Sequence, residues 1–144
     1  MSEPGHGTFH YQPQTDREKA MSDQNIPYQV IDWSKIPKTE HLGETGMAYW
    51  QTVQFQGLRI RIVEYSKGYI ADHWCQKGHI VHCLEGTLVN EQENGTKSTL
   101  TKGMTYVVSD ELSSHRSLAK DDVKLFIIDG DFLKLKSPPT SQLE

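Results

Sequence analysis

The most informative part of this sequence is the octapeptide Asp72-His73-Trp74-Cys75-Gln76-Lys77-Gly78-His79. β-Prone residues lie on both sides of it, which predicts a hairpin with a three-residue loop, Gln76-Lys77-Gly78, whose glycine adopts the left-handed conformation. In that register Cys75 faces His79. Because side chains alternate between the two faces of a strand, His73 then shares their face. A two-residue loop would instead divide the three side chains between opposite faces.

Two imidazoles and a thiol on one face are ligands that a transition metal ion takes. A fourth ligand must come from elsewhere in the chain. His115 is a better candidate than His41, which lies in a turn-like stretch. We therefore predict a divalent transition-metal site formed by His73, Cys75, His79 and His115. The thiolate favours zinc, with iron, nickel or copper as alternatives.

Short β-prone runs separated by turn residues make up the rest of the chain, and no apolar stripe with helical spacing interrupts them. Asn94-Gly95 between two such runs is a strong hairpin signal, and one helical turn is expected within Ile31–Ile36. This pattern predicts an all-β fold of antiparallel strands, either a sandwich, a jelly roll or a small barrel. The predicted strands are Met47–Phe55, Leu58–Tyr65, Tyr69–Cys75, His79–Glu85, Thr87–Glu91, Ser98–Thr101, Met104–Val108, Ser114–Leu118 and Val123–Asp129.

Length and composition restrict the organisation and the function of the chain. Its 144 residues suit one domain, which we expect at residues 25–135, between flexible tails at 1–24 and 136–144. The formal charge of −4 provides no basic field for nucleic acid, so we expect none as a partner. We also expect no membrane association, because no apolar run approaches the roughly 20 residues of a spanning helix. Only two cysteines and no secretory signal predict a cytoplasmic protein.

The motif residues resemble the cupin superfamily, whose first motif reads G-x5-H-x-H-x3-4-E-x6-G. The corresponding residues here are His73, Cys75, His79 and Gly86, with Gly68 one residue closer than in the pattern. Cys75 stands at the second His position and His79 at the Glu position. A second motif runs from Gly103 to His115, with Ser109 where proline is usual. The resemblance covers about Met47 to Asp129, and the octapeptide is similar to that of small single-domain cupins with a DHCW motif.

This resemblance implies a fold and a range of functions. The fold would be a double-stranded β-helix, or jelly-roll barrel, with the metal inside its mouth, and the assembly would be a homodimer. Related proteins include isomerases, dioxygenases and decarboxylases. The implied function is a metal-dependent enzyme acting on a small polar or anionic molecule bound in the barrel, with the reaction unidentified. The alternative is a non-catalytic barrel that binds or senses a metal or small ligand. The sequence leaves open whether the metal site keeps a free position or is closed by four protein ligands.

Arg61 is the candidate substrate-binding residue, because its forked guanidinium matches a carboxylate. Arg59 shares its face of the predicted strand. Tyr49 and Gln51 are further candidates for the lining of the same mouth. The alternative for the two arginines is a solvated strand face without any binding role.

Overall fold

The computed structural model describes residues 25–136, and nearly all of its regular structure is β-strand. The helical segments in this part are two three-residue 3₁₀ turns, Trp33–Lys35 and Asp131–Leu133, and no helix in it is long and apolar enough to span a membrane. The predicted tails at 1–24 and 136–144 lie, apart from residue 136, outside the described residues. The strands are β1 (Thr39–Leu42), β2 (Met47–Phe55), β3 (Leu58–Tyr65), β4 (Tyr69–Ile70), β5 (His79–Glu85), β6 (Leu88–Gln92), β7 (Lys97–Leu100), β8 (Thr105–Val108), β9 (His115–Ala119) and β10 (Val123–Gly130).

The strands form two antiparallel sheets with the core between them. One sheet has the order β1-β2-β3-β10-β5-β8, and the other has the order β4-β9-β6-β7. Buried side chains alternate along the strands, as in Val123, Leu125 and Ile127 of β10, and they pack against residues such as Leu88 and Leu100 of the other sheet. The prediction of an antiparallel jelly-roll fold is confirmed.

Most predicted strands have the observed bounds or differ from them by one residue at an end. The predicted Asn94-Gly95 hairpin joins β6 to β7, and Gly95 has a φ of +96° that favours glycine. The helical turn expected within Ile31–Ile36 forms at Trp33–Lys35. Strand β1 was not predicted, because its residues had been interpreted as a turn.

The predicted hairpin at Gln76-Lys77-Gly78 is wrong. After β4 the chain leaves one sheet and enters the other at β5, so the residues on the two sides of the loop do not pair. Strand β4 pairs with β9, whereas β5 lies between β10 and β8. Residues 71–78 are therefore a crossing segment between sheets, and the predicted strand Tyr69–Cys75 is reduced to Tyr69–Ile70. His82 of β5 bonds Thr105 of the neighbouring strand β8.

Candidate metal centre

Three side chains with metal-binding atoms converge in a cavity between the two sheets. The ligand atoms of Cys75, His79 and His115 all lie within 4.8 Å of one another. His79 and His115 are buried, and Cys75 is half-buried. All three line a cavity of about 240 Å³. Imidazole nitrogen and thiolate sulfur are ligands for zinc and other transition metals, so the chemistry of the cluster fits such an ion.

Each of the three residues is brought to the cavity by a different part of the fold. Cys75 in the crossing segment forms an isolated antiparallel bridge with His115, the first residue of β9. The Cys75 N–H donates to the His115 carbonyl at 2.7 Å, and the His115 N–H donates back at 2.9 Å. His79 begins β5 and has the inward orientation of Val81 and Cys83 on the same strand. The sheets thus join residues that lie 40 positions apart in the sequence.

Hydrogen bonds to Nδ1 orient both imidazole rings. Asp129 Oδ2 lies 3.0 Å from His79 Nδ1, and because a carboxylate only accepts, Nδ1 donates and Nε2 is left to act as a ligand. His115 Nδ1 lies 2.7 Å from the Ser113 hydroxyl. Its Nε2 is buried and has no hydrogen-bond partner in the described structure. A buried polar atom without a partner is costly, and a bound metal ion would satisfy it.

Asp129 is at the centre of a buried network of charges. It is 1% exposed and accepts hydrogen bonds from both Arg59 and Arg61 as well as from His79. Burial alone raises the pKa of the Asp129 carboxyl, but the bonds from His79 and the two arginines outweigh burial, and the net pKa lies far below its ordinary value. Asp129 therefore stays ionised and holds His79 in one orientation.

Cys75 is in an environment that favours its thiolate. Burial raises the pKa of the Cys75 thiol, but the neighbouring His115 and His79 rings and the hydrogen bond from the Lys77 amide outweigh burial and lower the pKa to about 5. The pKa of His79 is raised, because its bonds to Asp129 and Cys75 outweigh the effect of burial. The thiolate is the form of cysteine that binds metals.

Comparison with known proteins shows which fold the chain has. Neither a protein-family model nor a curated protein matches the sequence. Solved structures do match, among them a predicted oxalate decarboxylase from Thermotoga maritima (TM-score 0.61, 15% identity, covering 72% of this chain and all of that one). An RmlC-like cupin from Shewanella frigidimarina matches with a TM-score of 0.60 at 15% identity, covering 72% and 91% of the two chains. Ectoine synthase from P. lautus gives 0.59 at 16% identity, covering 76% and 80%. The chain has the cupin fold.

Within this cupin fold, His73 does not join the other three predicted ligands. Its side chain is 74% exposed, and its Nδ1 lies 2.6 Å from the Asp72 carboxylate. The shared face that we predicted for His73 depended on the hairpin, and residues 71–78 do not form one. His73 lies at the edge of the cavity, whereas Cys75, His79 and His115 form the cluster.

Of the predicted substrate-binding residues, Arg61 lines the cavity, whereas Tyr49 and Gln51 do not. Arg61 is 4% exposed, lines the cavity and stacks on Trp50, with its guanidinium carbon 4.5 Å from the ring centroid. Tyr49 and Gln51 have the opposite orientation from Trp50 on β2 and do not line the cavity. Gln51 instead donates to the carbonyls of Trp33 and Ile36 and so anchors the 3₁₀ turn.

Two residues of the centre were missed by the sequence reasoning, Asp129 and Ser113. Asp129 carried a usable signal. It continues the alternation of Val123, Leu125 and Ile127, so a carboxylate stands at an inward position of an apolar strand. Ser113 carried no comparable signal, because it lies in a loop next to β9.

Gly78 provides a test of how tightly the crossing segment is held next to His79. Its N–H donates to Asp110 Oδ1 at 2.6 Å, and an added Cβ would lie 2.6 Å from backbone atoms of Val108, Ser109 and Asp110. We expect Gly78→Ala to lower the free energy of unfolding by about 1–3 kcal/mol, because the two backbones must move apart. Urea denaturation measures this loss. The neighbouring exposed Lys77→Ala is the control, and equal stabilities would contradict the expectation.

Proposed function

We propose that Cys75, His79 and His115 bind a divalent transition metal ion, with zinc favoured over iron, nickel or copper because a thiolate is present. The observation that carries the proposal is the convergence of three ligand atoms within 4.8 Å, one of them the buried and unpartnered His115 Nε2. Such an ion, when bound, acts as a Lewis acid and lowers the pKa of a bound water molecule.

The function that this site supports best is a metal-dependent reaction of a small polar or anionic molecule. The three protein ligands leave a position open on a tetrahedral ion, which is typical of catalytic zinc sites. The cavity beside them has room for a small molecule, and Arg61 supplies a cation at its wall. Ectoine synthase and the predicted oxalate decarboxylase are named for enzymes, which agrees with this proposal without identifying the reaction.

The residues around the ligands have defined tasks in this proposal. Asp129 accepts the hydrogen bond from His79 Nδ1, which leaves Nε2 as the ligand atom. The Ser113 hydroxyl lies 2.7 Å from His115 Nδ1 and would accept from it in the tautomer whose Nε2 binds the ion. The Lys77 amide donates to Cys75 Sγ at 3.4 Å and stabilises the thiolate. Burial of the two imidazoles limits the access of water to the reacting molecule.

Two further expectations, a cytoplasmic location and a homodimer, stay proposals. Both described cysteines are free thiols, which agrees with a reducing compartment. Val107 on the edge strand β8 is 67% exposed, and a second copy of the chain could cover such apolar surface.

Metal analysis of the full chain tests the proposal. We expect near-stoichiometric metal by mass spectrometry after purification without added metal, and a large loss of metal in Cys75→Ser, because a hydroxyl is a poor ligand for zinc. Cys83→Ser is the matched control, since Cys83 is buried in the core away from the cluster. Metal retained fully by Cys75→Ser would exclude the thiolate as a ligand, and absence of metal from the parent would contradict the proposed function.

A further inference from the structure

The charges on the cavity wall are opposite in sign to the charge of the whole chain. Four residues that line the cavity have basic side chains with permanent charge, and among its described lining residues none is Asp or Glu. The chain as a whole has a formal charge of −4. The four basic residues are Arg59, Arg61, Lys77 and Arg116. A concave site lined by one sign of charge attracts ligands of the opposite sign.

Arg116 pairs with the carboxylates of Glu91 and Glu44, whereas the one carboxylate that pairs with Arg59 and Arg61 does not compensate both charges. Arg59 and Arg61 share one carboxylate, that of Asp129, so two buried or half-buried guanidinium groups face a single negative charge. The two guanidinium groups therefore carry one positive charge more than the carboxylate that they share.

Arg61 also has a donor that the protein does not use. Its Nη2 donates to Asp129 at 3.1 Å, but its Nε is buried without a hydrogen-bond partner among the described residues. The only other buried side-chain atom of this kind in residues 25–136 is His115 Nε2. Both residues line the same cavity, and each has one polar side-chain atom without a hydrogen-bond partner among the described residues. A buried donor without an acceptor lowers the stability of the protein unless a ligand accepts its hydrogen bond.

The size and lining of the cavity limit the ligand further. A volume of about 240 Å³ lies below the roughly 300–1,000 Å³ of pockets that bury drug-sized ligands, which favours a small ligand beside an ion. Trp50, Tyr106, Leu125 and Ile127 provide apolar wall next to Arg61. An anion with a short apolar part matches this combination, and the planar guanidinium matches the two oxygens of a carboxylate.

We propose that the cavity binds a small organic monocarboxylate, which Arg61 holds by hydrogen bonding while the apolar part of the ligand lies against Trp50 and Tyr106. This inference rests on the proposed function, because the ligand would lie beside the proposed metal ion. It names the substrate class as short monocarboxylic acids. Neutral molecules of the same shape are expected to bind more weakly, because they cannot form a charge-assisted hydrogen bond with the guanidinium group.

Calorimetric titration of the zinc-loaded full chain with propionate and with its neutral isostere propionamide tests the inference. We expect propionate to bind saturably at one site per chain and propionamide to bind at least tenfold more weakly. Arg61→Lys keeps the charge but removes the fork, and we expect it to weaken propionate binding at least tenfold. Lys97→Gln removes a positive charge from the exposed strand β7, outside the cavity, and should leave binding unchanged.

The outcomes separate this inference from the metal proposal, because metal content is measured on the same samples. Equal binding of propionate and propionamide to zinc-containing protein overturns the carboxylate site alone, as does full affinity in Arg61→Lys. Propionate binding that depends on Arg61 in protein unable to hold zinc supports the carboxylate site and overturns the metal proposal. If Arg61→Lys fails to fold, the comparison of propionate with propionamide on the parent protein still tests the carboxylate site.

Discussion

Asp129→Ala is expected to lower the free energy of unfolding by about 3–5 kcal/mol, the usual result of removing one partner from a buried ion pair. Asp129 is buried and accepts from Arg59, Arg61 and His79. Among residues 25–136, its removal leaves the buried guanidinium of Arg61 without an ion-pair partner and His79 Nδ1 without an acceptor. Urea denaturation of the metal-free protein measures the change without a contribution from metal binding.

Asp131→Ala is the matched control for this prediction. Asp131 lies two residues further along the chain, but its side chain is 66% exposed and pairs with Lys134 at the surface. A surface pair of this kind contributes little, so we expect a change within about 0.5 kcal/mol. Similar losses in both variants would contradict the central position of Asp129 in the network.

The strands could be predicted from the sequence because their signals are local. Alternation of apolar and polar residues and turn residues such as Gln56-Gly57 mark where β2 and β3 begin and end. The pairing of strands could not be predicted in the same way. The Gln76-Lys77-Gly78 stretch has the local sequence of a hairpin loop, but β4 and β5 find partners in different sheets, and those partners lie far away in the sequence.

The candidate metal site could be predicted in part for the same reason. Cys75 and His79 are close in the sequence, and the residue types alone indicate metal binding. His73 was added by a cross-strand argument that needs the hairpin, and it lies exposed beside Asp72 instead. His115 could be predicted from the resemblance to cupins and from the turn-like surroundings of the alternative, His41. In the structure, the bridge between His115 and Cys75 holds His115 next to the cluster.

The alternation of apolar and charged residues along β3 does not determine which face of the strand lies inside. Leu58, Ile60 and Ile62 share one face of this strand, and Arg59 and Arg61 share the other, so hydrophobicity alone favours the apolar face as the inner one. The structure has the arginines inside, because Asp129 stands opposite Arg59 on β10 and compensates part of their charge. Only the pairing of two strands about 70 positions apart reveals this arrangement.

His79→Ala is expected to reduce metal affinity by more than about 100-fold. Loss of a residue that only orients a ligand typically costs 10–100-fold, so loss of the ligand itself costs more. His79 contributes one of three ligand atoms, and its Nε2 lies 3.7 Å from Cys75 Sγ. Competition with a chromophoric chelator measures the affinity, and circular dichroism on the same samples establishes that the variant is folded.

His82→Ala should leave the affinity unchanged, and it separates the metal proposal from a general effect of losing a histidine on β5. His82 is on the same strand as His79, three residues further along, and so has the opposite orientation. Its Nδ1 bonds the Thr105 hydroxyl at 2.8 Å, on β8, and it does not line the cavity. Equal loss of affinity in both variants would mean that the ion binds elsewhere. A selective loss in His79→Ala would identify the inward face of β5 as the face that holds the metal, as the hydrogen bond from His79 to Asp129 requires.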